Sequence, residues 1–531
     1  MSVPSRSTGK SAFVIMVAIL GSRVLGLVRE MVLNSVFGLS RELDAFYSAF
    51  RIPNLLRDLF AEGALSTAFV TTFSKKLATD GQAAAFRLAN LVLSTLSVFM
   101  LGICILGIVF SEHLVLLLSP GFANIPGQIQ LTTELTQILF PFIGLVSLAA
   151  LYMGLLNSLG SFGLPASAST VFNFVSILTG LACGYLFDPQ LGPHAIYGFA
   201  FGTVIGGLFQ LLMQMPKASN LGFRPTWIWN LRDPDLQRVF KLMAPAVIGG
   251  AAVQVNVMVN GFFASYLAEG SVTALNNAFR LMQLPIGLFG VAIATVTLPS
   301  VSQFAARSDF NAFREQLGRS LRQAFFLTLP ASIGLALLAV PIIRLIFERG
   351  RFTAADTLVT ASVLQAYAGG LAFYAAIKVL APVFYALDKP QIPFRVSVLG
   401  ILLNLGLNLL FLRGMHLGLI SLPVTTSLIA LLNFLQLYFM INREVGRVFT
   451  REDLGALFRI VLSCAAMAAA LIACHHELSF LQRGFFPGPV VLFLEIIIGV
   501  MTYFAAAWLF RVDEIRTVMG RILKKLRRSP S

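Results

Sequence analysis

The chain has 531 residues, of which 57% are hydrophobic and only 12% are charged, and its mean hydropathy is +0.82. This composition excludes a soluble globular domain and is typical of a polytopic membrane protein. The formal net charge of +15 would suit nucleic acid binding, but the distribution of the basic residues along the chain gives the charge another explanation.

A helix that crosses a bilayer needs about 20 mostly apolar residues, and the chain contains fourteen such stretches. We predict spans near 12–37, 44–74, 84–111, 129–158, 165–187, 194–215, 239–266, 272–303, 320–347, 355–386, 392–412, 416–441, 456–474 and 487–510. The predicted fold class is therefore an all-α polytopic membrane protein with about fourteen transmembrane helices.

The basic residues are distributed unevenly between the loops. If both termini are cytoplasmic, the segments on the cytoplasmic side contain 27 Lys and Arg residues, and the outer loops contain five. An excess of Lys and Arg marks the cytoplasmic side of a membrane protein. The sequence therefore predicts a multi-pass protein of the cytoplasmic membrane with both termini inside, and it explains most of the net charge without a nucleic acid partner.

An internal repeat links the second predicted span to the eighth. Residues 44–60 align with residues 273–289 at a constant offset of 229, and Arg51 then matches Arg280. Six spans separate the matching elements, and an even number gives both halves the same orientation in the membrane. The repeat predicts two six-helix lobes related by a pseudo-two-fold axis along the membrane normal, an architecture suited to alternating access.

These elements define four predicted regions. The regions are an N-lobe at 1–220 with spans 1–6, a C-lobe at 221–445 with spans 7–12, a pair of added helices at 446–512, and a tail at 513–531. The basic tail is predicted to form an amphipathic helix on the cytoplasmic membrane surface.

Besides the basic residues counted with the cytoplasmic segments and the outer loops, seven lie inside the predicted spans: Arg23, Arg29, Arg51, Arg57, Arg280, Arg344 and Lys378. A cation at the bilayer centre costs roughly 2.5 to 3.5 kcal/mol. Seven facing lipid would cost on the order of 20 kcal/mol, more than the roughly 5 to 15 kcal/mol that stabilises a typical fold. We expect them to line a hydrated cavity that suits an anionic cargo. The structural alternative, for Arg29 and Arg57, is an ion pair with the adjacent acid.

The sequence offers no credible enzymatic site. Residues 7–11 imitate the end of a phosphate-binding loop, but Pro4 stands at the position of its first glycine and no strand precedes it. Paired carboxylates, a Ser/His/Asp set and metal-ligand spacing are also missing from any suitable context. We therefore expect a transporter driven by an ion gradient, a membrane potential or the gradient of its cargo. Planar guanidinium groups bind oxygen pairs bidentately, which suits a diphosphate.

Several runs of residues resemble the MurJ/MviN lipid II flippases of the multidrug/oligosaccharidyl-lipid/polysaccharide exporter superfamily. In the first half these runs are 22–30 (SRVLGLVRE), 44–46 (DAF), 53–57 (PNLLR) and 60–64 (FAEGA). In the second half they are 280–282 (RLM), 298–300 (LPS), 347–350 (FERG) and 378–380 (KVL). The resemblance covers essentially the whole chain in order, and it is most specific between residues 22 and 64.

The resemblance implies a transporter, not an enzyme, that carries undecaprenyl-pyrophosphate-linked peptidoglycan precursor (lipid II) from the inner to the outer leaflet. We expect Arg23, Arg29, Arg57 and Arg280 to bind the substrate, and Asp44, Glu62, Arg51, Lys378 and Thr273 to shape or gate the cavity. The two added helices would hold the polyprenyl tail. Expected partners are the lipid-linked precursor, the phospholipid membrane and proteins of cell-wall synthesis and division, with no nucleic acid.

A sodium site reported for the family would fall on Asn256, Asn404, Asn408 and Thr426 of this chain. Relatives place a carboxylate on the eleventh span, and this chain has none there. Neutral oxygens also ligate sodium, and packing hydrogen bonds are the alternative explanation of these asparagines. Na⁺ is the one cofactor that the resemblance suggests.

The alternative function is an ion-coupled exporter of drugs or of other lipid-linked oligosaccharides from the same superfamily. A drug exporter for cations predicts carboxylates in the cavity, whereas the second lobe offers Arg280 and no obvious acid. A membrane scaffold for wall synthesis, with the arginines in structural ion pairs, is a third explanation, but it would not need a two-lobe repeat.

Overall fold

A computed structural model describes residues 8–57, 65–482 and 488–515. Side chains are described in these ranges except at 8–16, 19, 56–57, 66–67, 244–254, 256–257 and 475–482. All regular secondary structure in the described ranges is helical, which confirms the predicted all-α class. Each predicted span contains a described helical segment, and eleven of the described helices are long and apolar enough to cross a membrane.

The α-helices follow the predicted spans closely. In chain order they are α1 Thr8–Phe37, α2 Arg41–Arg57, α3 Ser66–Val109, α4 Ser111–Leu118, α5 Gln128–Leu139, α6 Pro141–Ser158, α7 Gly163–Phe187, α8 Ala195–Leu212, α9 Met215–Asn220 and α10 Pro234–Ala264. They continue with α11 Ser271–Pro285, α12 Val291–Ala306, α13 Phe310–Leu337, α14 Ala339–Phe347, α15 Ala354–Ala386, α16 Gln391–Leu409, α17 Ser421–Val445, α18 Arg451–Gln482 and α19 Gly488–Leu509.

The chain divides into two compact units. Unit 1 comprises Met1–Thr273 and Arg349–Phe352, and unit 2 comprises Ala274–Glu348 and Thr353–Ser531. Helix α10, which corresponds to the seventh predicted span, therefore packs within unit 1. The repeat predicts a division between the two lobes at 220/221, and this division stays a prediction. The two packing units divide after Thr273.

In unit 1 a bend at Gly81 separates the second and third predicted spans. The rings of Phe73 and Phe86 are 6.4 Å apart, although thirteen residues of straight helix would separate them by about 20 Å. Gly81 has a φ of +84°, a left-handed conformation that glycine adopts without steric cost. The two arms of α3 therefore bend toward each other, and Phe69, Phe73 and Val92 enter the same buried cluster.

Several predicted spans are broken helices. The fourth consists of α5 and α6 on either side of Phe140, and the ninth consists of α13 and α14 on either side of Leu338. A π-helical segment, Ile286–Gly290, joins α11 to α12 directly after Pro285. Such π segments occur frequently at functional sites, and this one begins six residues after Arg280.

In unit 2 the two added helices pack on α13 through a buried cluster that includes Phe326, Cys464 and Tyr503. An ion cluster lies beside it. Arg322 Nε donates to a Glu514 carboxylate oxygen at 2.9 Å, and Arg322 Nη1 pairs with Asp453. This cluster ties α13 to the start of α18 and to the segment after α19. Of the predicted tail at 513–531, residues 513–515 are helical and the remainder lies outside the described residues.

Candidate functional site

Helix α1 of unit 1 carries a line of polar residues on one face. Arg23, Glu30 and Asn34 are separated by seven and four residues, spacings that place side chains on the same side of an α-helix. The side chains of Glu30 and Asn34 are completely buried. Arg23, near the middle of the 30-residue helix, is exposed.

The exposed face of Arg23 differs from the apolar face of the same helix. The large apolar side chains exposed on α1 are Val17, Leu20 and Val24. Because each residue turns the helix by 100°, Arg23 points roughly 90° away from their mean direction. A cation on the lipid-facing side would cost roughly 2.5 to 3.5 kcal/mol at this depth. Arg23 instead lies in line with the buried Glu30 and Asn34, and charged residues within membrane helices face the bundle interior or a water-filled cavity.

Arg29 lies on another face of α1 and is held in place. Its Nη2 is 3.2 Å from Glu30 Oε1, and its guanidinium carbon lies 5.3 Å from the ring centre of Phe172 on α7. Tyr47 on α2 donates a hydrogen bond to the other oxygen of Glu30. The ion pair that the sequence offered as an alternative for Arg29 is therefore present, and Glu30 connects α1 to α2.

Asp44, near the start of α2, binds the first turn of α11 and the glycine that precedes it. Its carboxylate accepts hydrogen bonds from the backbone N–H of Gly270 at 2.8 Å, the N–H of Thr273 at 2.8 Å and the Thr273 hydroxyl at 2.7 Å. Asp44 and Thr273 are buried. Gly270 has a φ of +81°, and a Cβ there would lie 2.6 Å from the Cβ of Leu39, so only glycine fits this turn. Asp44 is thus a capping residue that fixes the entry into α11.

Arg51 occupies a space that a glycine leaves open. A Cβ at Gly261 of α10 would lie 1.2 Å from Arg51 Nη1 and 2.3 Å from its guanidinium carbon. Real Cβ atoms do not approach other atoms this closely, so the guanidinium lies directly against the α10 backbone. Within unit 1, Gly261 therefore determines where Arg51 is placed.

The internal repeat, with its offset of 229 residues, also pairs polar residues of α2 and α11 that were not predicted as site residues. On α2, Asp44, Ser48 and Arg51 lie on one face at spacings of four and three. The same offset gives Thr273, Asn277 and Arg280 on α11. Ser48 is 7% exposed and Asn277 is completely buried. Each helix thus carries a buried polar line that ends in an arginine, and Arg280 itself is half-buried. Extending the repeat alignment by position would have identified Ser48 and Asn277.

An apolar cavity adjoins α2 in unit 1. Its volume is about 520 Å³, and it is lined by apolar side chains of α2, α3, α4 and α10, including Ile52, Leu55 and Met258. Arg51 and Ile52 are neighbours in sequence, so α2 offers a cationic group and an apolar cavity within one turn. This combination suits an amphiphilic molecule rather than a small ion.

The remaining predicted residues are placed as follows. Lys378 is exposed on α15, and Arg344 is exposed on α14, where its Nε lies 3.3 Å from Glu348. Arg57 ends α2, and its side chain, like the whole of Glu62, lies outside the described residues. The structure brings Asp44 and Thr273 together, and the grouping of the other predicted site residues stays a prediction.

Three of the predicted sodium ligands lie in unit 2, where they take part in hydrogen bonds. Asn408 Nδ2 donates to Asn404 Oδ1 at 2.6 Å, and the Thr426 hydroxyl donates to the Leu422 carbonyl at 2.8 Å. The side chain of Asn256 lies outside the described residues. The described part of the chain contains no cluster of three His, Cys, Asp or Glu residues that would hold a metal ion. Such hydrogen bonds leave oxygen lone pairs on these side chains, so the sodium site stays a prediction beside the packing alternative.

A buried acid in the last helix was missed by the sequence analysis. Glu495 of α19 is 2% exposed, in a helix whose other residues are apolar or small. An acidic residue within an otherwise apolar stretch of sequence is itself a signal, because such residues are rare in membrane spans and are retained for function or pairing.

Comparison with known proteins assigns the chain to a family. The family model described as "Lipid II flippase MurJ" matches residues 33–494. A probable lipid II flippase MurJ of Bdellovibrio bacteriovorus is 34% identical over 511 residues, which cover 96% of each chain. A probable lipid II flippase MurJ of Vibrio cholerae is 34% identical over 472 residues, covering 87% of this chain and 88% of the relative.

Solved structures agree with this assignment. A lipid II flippase MurJ in an inward closed conformation matches with a TM-score of 0.76 and 28% identity, over 95% of this chain and 100% of that one. An inward-facing multidrug resistance MATE transporter of the MOP superfamily has a TM-score of 0.68 at 13% identity, covering 82% of this chain and 98% of that one, and shares the fold. The chain belongs to the MurJ lipid II flippase family.

Proposed function

We propose that this chain moves lipid II from the inner to the outer leaflet of the cytoplasmic membrane and thereby supplies peptidoglycan synthesis. Membership of the MurJ family, with relatives matched over nearly their full length, is the basis of this proposal. Lipid II joins a diphosphate head to a long apolar tail. A protein that carries it needs cations for the head and apolar surface for the tail.

The structural observation that best supports this function is the orientation of Arg23. This arginine is exposed near the middle of α1, yet it points away from the exposed apolar side chains of that helix. A guanidinium in a low-dielectric setting binds phosphate oxygens bidentately. Arg23, Arg29, Arg57 and Arg280 bind the diphosphate in this account. Asp44 and Glu62, together with Arg51, Thr273 and Lys378, hold the cavity and its gate.

The mechanism of this proposal is alternating access between two lobes with both termini in the cytoplasm. The loop charges support this orientation, since 27 basic residues then lie inside and five outside. The capping contact of Asp44 supports a role in holding the first turn before α11 rather than in binding cargo. A role for sodium at Asn256, Asn404, Asn408 and Thr426 remains a separate proposal, and no step of the transport cycle is assigned to it.

Substituting Arg23 or Arg280 with alanine tests the assignment of the diphosphate-binding residues. We expect each variant to insert normally and to fail to support growth in cells that depend on this chain. A hydrogen bond to a charged group contributes about 1.5 to 3 kcal/mol, so the loss of one guanidinium should lower transport by roughly tenfold to a hundredfold.

Arg307→Ala is the matched control, because Arg307 is exposed after α12 and lies outside the predicted spans. Arg23→Lys keeps the charge and loses the planar fork, and it should give intermediate growth. Full growth of Arg23→Ala and Arg280→Ala at normal abundance in the membrane would contradict their assignment to the substrate.

A further inference from the structure

An extended segment of unit 1 connects α9 to α10 and has an unusual surface. We call residues 221–233 the interfacial strap. It contains no regular helix between Phe223 and Asn230, and it includes Trp227 and Trp229, two of the three tryptophans of the chain. The predicted topology places it on the cytoplasmic side.

The interfacial strap is fixed to α3 by side chains of that helix. Asn90 accepts a hydrogen bond from the N–H of Thr226 at 3.0 Å and donates to the carbonyl of Arg224 at 3.1 Å. The Ser94 hydroxyl accepts from the N–H of Ile228 at 3.0 Å. Phe223 is buried in the core cluster of α3 and α6. The strap is therefore attached to α3 through the backbone groups of residues 224, 226 and 228.

Both tryptophans of the strap are exposed. They lie on the same side of the extended backbone, because residues alternate sides along it. Trp227 and Trp229 are 68% and 50% exposed. Exposed tryptophans are enriched where a protein meets the boundary between lipid and water, because the ring is apolar and its N–H is polar.

The height of the strap along the membrane normal agrees with this position. Ser94, which binds Ile228, precedes the last residue of α3, Val109, by fifteen positions, or about 22 Å of helix. The hydrocarbon core of a bilayer is about 30 Å thick. With the end of α3 at the outer face, Ser94 lies roughly 8 Å from the inner face of the hydrocarbon core, so the strap lies in the cytoplasmic leaflet.

The charges around the strap favour an anion. The acids of this region already have partners, since Asp233 lies 3.4 Å from Arg87 and Asp235 lies 2.5 Å from Lys76. Lys217 and Arg224 are exposed, and in the described part of the chain no carboxylate pairs with either. The two residues flank a tight turn in which the N–H of Phe223 donates to the Ala218 carbonyl at 3.0 Å.

A groove lies beside these cations. Its volume is about 330 Å³, and it is lined by Leu93, Ser94, Ser97, Leu148, Tyr152, Leu211, Met215, Pro225, Thr226 and Trp227. The walls are mostly apolar. The Tyr152 hydroxyl has no hydrogen-bond partner among the described residues and belongs to this lining. The positions next to the groove on α3 and α8, Val98 and Leu212, expose large apolar side chains, as expected for surfaces in contact with lipid.

We propose that the interfacial strap and its groove bind an anionic phospholipid of the cytoplasmic leaflet. Lys217 and Arg224 bind the head-group phosphate, part of one acyl chain enters the groove, and Trp227 covers the junction between head and chain. The unpaired basic charge selects an anionic head group over a zwitterionic one, and the apolar lining selects a lipid over a free phosphate. This site is separate from the arginines of α1 and α2 and does not depend on the proposed transport function.

Fluorescence quenching of Trp227 tests this site. The full chain with Trp229→Phe and Trp508→Phe keeps Trp227 as its single tryptophan, and it is reconstituted into phosphatidylcholine bilayers. A small fraction of the lipid is replaced by phosphatidylglycerol or phosphatidylcholine with brominated chains. We expect the brominated phosphatidylglycerol to quench Trp227 with roughly 30-fold higher apparent affinity, since each of the two basic residues favours anionic lipid by about fivefold.

Two variants separate the head-group contact from the groove. Lys217→Gln with Arg224→Gln should abolish the preference for phosphatidylglycerol, whereas Ser97→Leu, which fills the groove, should weaken quenching by both lipids. The matched control is Arg307→Gln with Arg395→Gln, two exposed cations outside the strap, which should leave the preference unchanged. Free glycerol phosphate should not compete. Equal quenching by the two lipids, a preference that survives the loss of Lys217 and Arg224, or competition by free glycerol phosphate would overturn the proposal.

Discussion

Replacing Gly261 with alanine is expected to abolish growth complementation while the protein still inserts into the membrane. The new Cβ would lie 1.2 Å from Arg51 Nη1, so the guanidinium must move by roughly 2 Å to reach van der Waals distance. Overpacking of this kind costs about 1 to 3 kcal/mol. The measurement is growth of cells that depend on the variant, together with its thermal unfolding in detergent.

Two control variants show whether Arg51 is the cause. Gly102→Ala makes the same change inside a helix of the same unit, where a Cβ meets no atom within 4 Å, and it should be neutral or stabilise by about 0.5 to 1 kcal/mol. In an Arg51→Ala background, Gly261→Ala should lose its thermal penalty, because the clashing atoms are gone. A penalty of the same size in both backgrounds would show that the contact between Gly261 and Arg51 is not the reason.

A graded loss of stability is expected along the series Thr273→Val, Asp44→Asn and Asp44→Ala. Thr273→Val removes one hydroxyl hydrogen bond and should cost about 0.5 to 1.5 kcal/mol. Asp44→Ala removes all three hydrogen bonds of the carboxylate and leaves the backbone N–H groups of Gly270 and Thr273 without their acceptor. Each such buried group costs about 1 to 3 kcal/mol, so this variant should lose roughly 2 to 6 kcal/mol.

The amide variant distinguishes capping from charge. Asp44→Asn keeps one carbonyl oxygen and should fall between the other two in thermal unfolding. If Asp44 acted in transport only through its negative charge, Asp44→Asn would retain wild-type thermal stability and lose growth complementation as completely as Asp44→Ala. Equal unfolding temperatures for all three variants would contradict the capping role.

The sequence was sufficient for the positions of the helices, because a span requires a long apolar run and such runs are easily read. It also identified Arg51 and Arg280 as equivalent, since an offset in a repeat needs no structure. The breaks at Phe140 and Leu338 and the π segment at 286–290 were not predicted. Hydropathy is nearly the same on both sides of a break and does not report the register of the backbone hydrogen bonds.

Partners distant in sequence were the larger omission. Asp44 binds residues 226 and 229 positions away, and Gly261 meets Arg51 from another helix. Nothing local in the sequence marks such contacts. Arg322 is a further example. It is one of the 27 basic residues assigned to the cytoplasmic side, yet its side chain is largely buried between Asp453 and Glu514. Charge counts assign a residue to one side of the membrane, and they do not show whether it is solvated or paired.

The most direct test of lipid II transport is the fraction of lipid-linked precursor that a membrane-impermeant reagent labels from the outer face. The measurement is made in cells whose only flippase is this chain, before and after its depletion, with total precursor quantified in parallel. The account predicts that outer labelling falls while the precursor continues to be made and accumulates inside, and that Arg23→Ala behaves like depletion. An outer-labelled fraction that stays unchanged after depletion would contradict it.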